Sequence, residues 1–150
     1  MNVIVDLEHT ISNASHRIAM KKNGIEKCKF QLQFKNDRPN ENVIKFMEQL
    51  NETGSYVIIL SAKRECYRTM VTHWLSLHEV KYDELVMMPD ESYLTGEQFK
   101  EEYVINSDIH FDFALDDVGA NCAMFYRNNI PCLRICLLYT SDAADDRTWV

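Results

Sequence analysis

Five short apolar runs, each closed by a polar or turn-forming residue and separated by stretches of helical spacing, constrain this chain more than any other feature. The first, Val3-Ile4-Val5, stops at Asp6, with Glu8 and Thr10 close behind. Alternate side chains of an extended chain share a face, so Asp6 and Glu8 project together where strand gives way to loop. Tyr56-Val57-Ile58-Ile59-Leu60 is nearly all apolar, as in a strand covered on both faces, and ends at Ser61. Leu85-Val86-Met87-Met88 is closed by Pro89, and Phe111-Asp112-Phe113-Ala114-Leu115 by Asp116-Asp117. A fifth run lies near residues 132–135.

The intervening segments read as helices. Val43, Ile44, Met47 and Leu50 recur at helical spacing after Pro39-Asn40, and Gly54 supplies the stop. Tyr67, Met70, Val71, Trp74 and Leu75 share one face of a helix over about residues 65–78. Further helices are expected over about residues 97–104, carrying Lys100, and over 119–127. Strands alternating with helices predict an α/β, Rossmann-like parallel sheet with helices on both faces. The main domain is expected over residues 1–135. Within it, the polar and weakly periodic residues 11–38, with Gly24 ending a short helix over 14–22, read as a small cap or insert after the first strand or as an irregular loop.

Open α/β sheets gather chemistry at the carboxyl ends of their strands. Asp6, Glu8, Ser61, Asp116 and Asp117 are therefore expected on one rim, with Lys100 reaching in from a neighbouring helix. Carboxylates packed together repel and raise one another's pKa unless a cation sits among them. Hard oxygen ligands in low number favour Mg²⁺, while a hydroxyl and an ammonium suit phosphate oxygens. The set has the make-up of a phosphoryl-transfer site.

Composition narrows the alternatives. At 150 residues the chain suits one domain, and its net charge of -7 argues against a broad nucleic-acid-gripping surface, leaving a local basic cleft open. No apolar stretch nears the roughly 20 residues needed to span a bilayer, and no secretory leader pattern opens the chain, so a cytoplasmic setting without membrane contact is expected. The five cysteines form no CxxC pair and read as buried thiols. The five histidines lack zinc spacing and are read as non-ligands, and no GxxxxGK[ST] loop occurs. Residues 137–146 resemble the translated read-through of a sequencing adapter, so residues 136–150 are read as a non-native tail and set aside. That tail holds three Asp and one Arg, and without it the net charge is -5.

The order Asp6-x-Glu8-x-Thr10, Ser61 after an apolar strand, Lys100, then Asp116-Asp117 resembles the haloacid dehalogenase (HAD) superfamily of phosphatases. The likeness is closer to the 3'-phosphatase domain of phage polynucleotide kinases and covers about residues 2–135. It rests on Val5-Asp6-Leu7-Glu8-His9-Thr10 with Ser15-His16-Arg17, on Leu60-Ser61-Ala62-Lys63-Arg64, on Phe99-Lys100, and on Leu115-Asp116-Asp117. The resemblance implies Asp6 as nucleophile forming an aspartyl-phosphate, and Glu8 as general acid and then base. It also implies Mg²⁺ on Asp6, the Glu8 backbone carbonyl, Asp116 and, through water, Asp117, with Ser61 and Lys100 holding the phosphate. Five positions depart from the family pattern: Glu8 stands for Asp, His9 for Gly, Ala62 and Lys63 for the Gly and Arg of Ser-Gly-Arg, and Met88 for Arg. Thr10 is read as a loop support, and Arg17 as a substrate contact or a surface residue.

Three function classes follow. The first is a Mg²⁺-dependent phosphomonoester hydrolase acting on a nucleic-acid 3'-phosphate end or a free nucleotide. The second is a catalytically weakened HAD-like binding or regulatory domain, which Glu8 favours. A phospho-receiver uses similar residues, but in the reverse order along the chain. Sequence leaves the oligomeric state open.

Overall fold

A computed structural model describes residues 1–137. Five strands, β1 (Asn2–Val5), β4 (Tyr56–Arg64), β5 (Glu84–Met88), β6 (Phe113–Asp116) and β7 (Cys132–Arg134), form one sheet in the order β5-β4-β1-β6-β7. All four pairings are parallel. The chain builds outward from β1 through β4 to β5, then returns to add β6 and β7 on the other side. The order therefore reverses between β1 and β6, and there the strand ends open into a crevice. The expected α/β fold is the observed one.

Side-chain alternation explains why both sheet faces are covered. Val3, Val5, Val57 and Ile59 join one core with α3 (Glu41–Glu52) and α4 (Arg68–Leu77), through Val43, Met47, Val71 and Trp74. Ile4, Ile58 and Leu60 point the other way, against Phe99 of α5 (Gly96–Asn106) and Met124 and Phe125 of α6 (Gly119–Arg127). Each central strand thus buries consecutive residues, which is why its sequence is a continuous apolar run.

The entry of α5 is tightly set. Thr95 Oγ1 accepts from the Gln98 backbone N–H at 3.2 Å, and the Gln98 side chain accepts from the Thr95 N–H at 3.0 Å. A side chain at Gly96 would place its Cβ 3.2 Å from the Ala62 Cβ, so α5 starts hard against β4. Lys100 lies one turn further along the same face.

Residues 11–38 hold α1 (Ser15–Lys22), α2 (Lys27–Leu32) and a short 3₁₀ turn, tied off by an antiparallel ribbon of β2 (Ser12–Asn13) and β3 (Arg38–Pro39). This is structured chain, not an irregular loop. Gly24 sits at φ 82° between the helices, where a side chain would be strained.

Several expectations need correction. β4 runs through Ser61 to Arg64, because β5 keeps pairing with it across a bulge: Ser61 faces Met87 and Arg64 faces Met88. The helix expected over 65–78 begins as a 3₁₀ turn, Glu65–Tyr67. The cysteines are not buried: Cys28, Cys66 and Cys136 are exposed, and Cys122 and Cys132 partly so. Cys28 and Cys66 lie on elements that bury no residue at all, so their apolar character has nothing to pack against. The adapter-like tail lies outside the described residues from 138 onward. Among the described residues, no helix is long and apolar enough to cross a membrane.

Candidate active site

The crevice between β1 and β6 gathers the acidic residues. Asp6 follows the last residue of β1, its N–H donating to the Leu115 carbonyl of β6 at 2.9 Å. Behind it the chain turns sharply: the Leu7 carbonyl accepts from the N–H groups of Thr10, Ile11 and Ser12, and His9 takes φ 63° where the family pattern has Gly. That turn brings Thr10 back so that its hydroxyl donates to Asp6 Oδ2 at 3.0 Å. Thr10 is a loop support, as expected, and its target is Asp6.

Asp116 is fully buried at the end of β6. Its carboxylate accepts from the Val118 N–H at 3.0 Å and from the Asn121 amide at 3.2 Å. Asp117 follows, and one oxygen from each of Asp6, Asp116 and Asp117 lies within 4.8 Å of the others. Lys100, 2% exposed, donates from Nζ to Asp6 Oδ1 and Asp116 Oδ2, both at 2.7 Å. Ser61 is buried on the neighbouring strand, its hydroxyl accepting from the Lys63 N–H at 3.1 Å. Ser61, Lys100, Asp6, Glu8 and Asp117 all line one cleft of about 490 Å³.

Electrostatics follow from burial. Loss of water drives the Asp6 pKa up; Lys100 pulls it back, Asp116 adds repulsion, and the result stands well above the ordinary carboxylate value. Burial alone would lower the Lys100 pKa, but the Asp6 and Asp116 charges outweigh it and raise it. Three carboxylates around one ammonium leave negative charge in excess. A hard divalent cation bound by several aspartate oxygens fits that donor set.

Glu8 behaves differently. It lines the same cleft, yet its carboxylate stands outside the aspartate trio. Lys63 Nζ donates to Glu8 Oε1 at 2.8 Å, and Arg17 Nη2 lies 3.3 Å from Oε2. Burial opposes the charge, but the two cations overcome it and lower the Glu8 pKa. Lys63 is itself held below its usual value, chiefly by desolvation that Glu8 only partly offsets.

Arg17 is neither a surface residue nor a residue open to substrate. It is fully buried, donating from Nε and Nη2 to the two Asp37 carboxylate oxygens at 2.8 and 2.7 Å. Its guanidinium lies over the rings of Phe30 and Phe34, 4.9 and 5.7 Å from their centroids. Asp37 also meets His16 Nε2 at 2.8 Å and Ser12 Oγ at 3.2 Å. Asp37 and Asn121 escaped the sequence reading. Asn121, five residues after Asp116 at the start of a helix, could have been found by its spacing. Asp37 carried no such signal.

A parallel sheet with an aspartate-rich crevice at its switch point defines the α/β class of HAD-type phosphatases. The family described as the polynucleotide kinase PNKP phosphatase domain matches residues 1–136, and the chain belongs to that family. Among solved structures, a chain of the Pnkp1/Rnl/Hen1 complex superposes with TM-score 0.75 at 25% identity, covering 89% of this chain and 45% of that one. This chain therefore spans less than half of that relative's length. Two others share the fold: a predicted phosphatase from Clostridium acetobutylicum (TM-score 0.64, 11% identity, covering 89% of this chain and 83% of that one), and a haloacid dehalogenase-like hydrolase from Streptococcus pneumoniae (0.62, 10%, 96% and 89%). No curated protein sequence matches.

Proposed function

We propose that the cleft hydrolyses a phosphomonoester at a nucleic-acid 3' end, with Asp6 as nucleophile. The observation that supports this most directly is the trio Asp6, Asp116 and Asp117, its oxygens within 4.8 Å of one another and Lys100 bonded to two of the three. Asp6, Asp116 and Asp117 would hold Mg²⁺, which when bound neutralises the repulsion between carboxylate and phosphate.

The chain's own residues divide the remaining work. Thr10 and Lys100 hold the Asp6 carboxylate by one oxygen each at the wall of the cleft. Attack forms an Asp6 oxygen–phosphorus bond as the ester oxygen–phosphorus bond breaks, giving an aspartyl-phosphate. Ser61 and Lys100 hold the transferring oxygens. Glu8, kept ionised by Lys63 and Arg17, suits the second step, taking a proton from the water that releases phosphate. The acid role in the first step asks Glu8 to hold a proton that those cations disfavour. Residues 11–38 act as a small cap, lending Gln31 to the cleft wall.

The clamped Glu8 carboxylate is also the observation favouring a weakened binding domain. The two readings separate in one assay: Mg²⁺-dependent phosphate release from p-nitrophenyl phosphate and a 3'-phosphorylated oligonucleotide. Turnover by the wild type that is lost in Asp6→Asn supports the enzyme. Absence of turnover in both the wild type and Glu8→Asp supports the binding domain.

A further inference from the structure

Beside the catalytic cleft, where α2 faces the end of β4, lies a second cavity of about 370 Å³, within the range of small-ligand sites. Gln31, Ala62 and Lys63 line both, so the two share a wall. Their charges are opposed. Asp6, Glu8, Glu97 and Asp117 line the catalytic cleft against two lysines. The second cavity is lined by Lys27, Lys63 and Arg64 with no acid, and Tyr67 and Met88 give it an apolar side.

In a chain of net charge -7, three cations lining one cavity together with an aromatic side chain form a local reversal. Lys63 Nζ stands 5.1 Å from the Tyr67 ring centroid while bonding Glu8, so it sits at the junction of the two spaces. Arg64 is anchored by the carbonyls of Pro89, Asp90 and Ser92 at 2.8–3.1 Å. Lys27 is exposed at the outer edge. Met88 occupies the position where the family pattern has Arg, which makes this side of the cavity apolar rather than cationic.

A flat apolar ring joined to an anion matches that lining. We propose that this cavity is the subsite for the terminal nucleotide of a single strand, its base against Tyr67 and Met88 and its 5' phosphodiester towards Lys27 and Arg64. Stacking on an aromatic side chain beside a cationic groove is how single strands are held without sequence preference. The proposal rests on the phosphatase reading for the direction in which the strand enters.

The test uses p-nitrophenyl phosphate, which has no base or second phosphate, and a 3'-phosphorylated oligothymidylate. Tyr67→Ala and Lys27→Glu should each raise KM for the oligonucleotide about 10-fold. Both should leave kcat and KM for p-nitrophenyl phosphate within about twofold, and Tyr67→Phe should behave as wild type. Lys27 is exposed, so its variant tests the proposal even if Tyr67→Ala folds poorly. Fluorescence anisotropy of the labelled oligonucleotide, with each substitution in an Asp6→Asn background, gives a readout independent of turnover. Weaker binding in the Lys27 and Tyr67 variants of a protein that hydrolyses neither substrate would keep the subsite and remove the phosphatase reading. Equal effects on both substrates, unchanged oligonucleotide KM and Kd, or no oligonucleotide binding by the parent protein would overturn the subsite.

Discussion

The carboxylates in and behind this cleft fall into two groups, and the chain treats them in opposite ways. Asp6, Asp116 and Asp117 lie together with Lys100 bonded to the first two, and burial raises the Asp6 pKa. Glu8 is met by Lys63 and Arg17, and Asp37 by Arg17 and His16, so each of these carboxylates has a cationic partner. The first arrangement is under-compensated, as the proposed cation site requires. The second pairs each carboxylate with a cation, though Arg17 Nη1 is buried without a partner among the described residues, and fastens the insert to the core, with the Trp74 indole donating to the Asp37 carbonyl at 3.0 Å. Perturbation should therefore cost function on one side and stability on the other.

The largest contrast is expected from Asp6→Asn. Loss of the nucleophile should lower kcat by on the order of 10⁴-fold, roughly 5.5 kcal/mol of transition-state stabilisation. The same change should stabilise the metal-free fold. Folding raises the Asp6 pKa, so its contribution to stability falls as pH climbs from the unfolded value near 4 towards the raised one. Asparagine has no charge to lose. Melting in EDTA should show Asp6→Asn above wild type at pH 7 and the gap closing near pH 4; a wild type that melts higher at pH 7 would contradict the charge assignment.

Arg17→Ala should reverse the pattern. It strands Asp37 in the interior, and removing one partner of a buried ion pair costs about 3–5 kcal/mol. Urea denaturation measures the loss directly, and a change below about 1 kcal/mol would mean that Asp37 finds other partners. Added Mg²⁺ gives the next effect: at about 100 times its Kd it should stabilise wild type by about 2.7 kcal/mol. Asp116→Asn should lose most of that gain, while Glu8→Gln, outside the trio, should retain it. Equal responses from the two variants would place the ion elsewhere.

The aspartate side was readable in the sequence because its information is local. Each acid directly follows an apolar run, so strand direction alone carries Asp6, Asp116 and Asp117 to one rim, and helix spacing brings Lys100 there. The Glu8 side was not. Arg17 and Asp37 are 20 residues apart in a polar stretch of weak periodicity, and only the β2–β3 ribbon brings them together. Ser61 was found but misplaced at a strand end, because a bulge that lengthens a strand leaves no mark in its hydrophobic pattern. The cysteines misled for a related reason: residue type predicts burial only where an element has a buried face.

The smallest effect is the most specific to this chain. Against the family pattern, Glu8 is one methylene longer than the usual Asp, and Lys63 replaces an Arg. The two departures meet, at 2.8 Å between Lys63 Nζ and Glu8 Oε1. A longer acid reaching a point charge and a shorter acid reaching a forked guanidinium are two solutions to the same spacing. Glu8→Asp alone should draw the carboxylate away from Lys63 and slow turnover about tenfold, since misplacement near 1 Å is costly. Lys63→Arg alone should crowd the junction and slow it by a similar factor. The double variant should recover most of the loss, a coupling of about 1.5–2.5 kcal/mol between residues in contact. Strictly additive losses would show that Glu8 and Lys63 are independent departures, and that the cation-rich side of the cleft tolerates change without compensating for it.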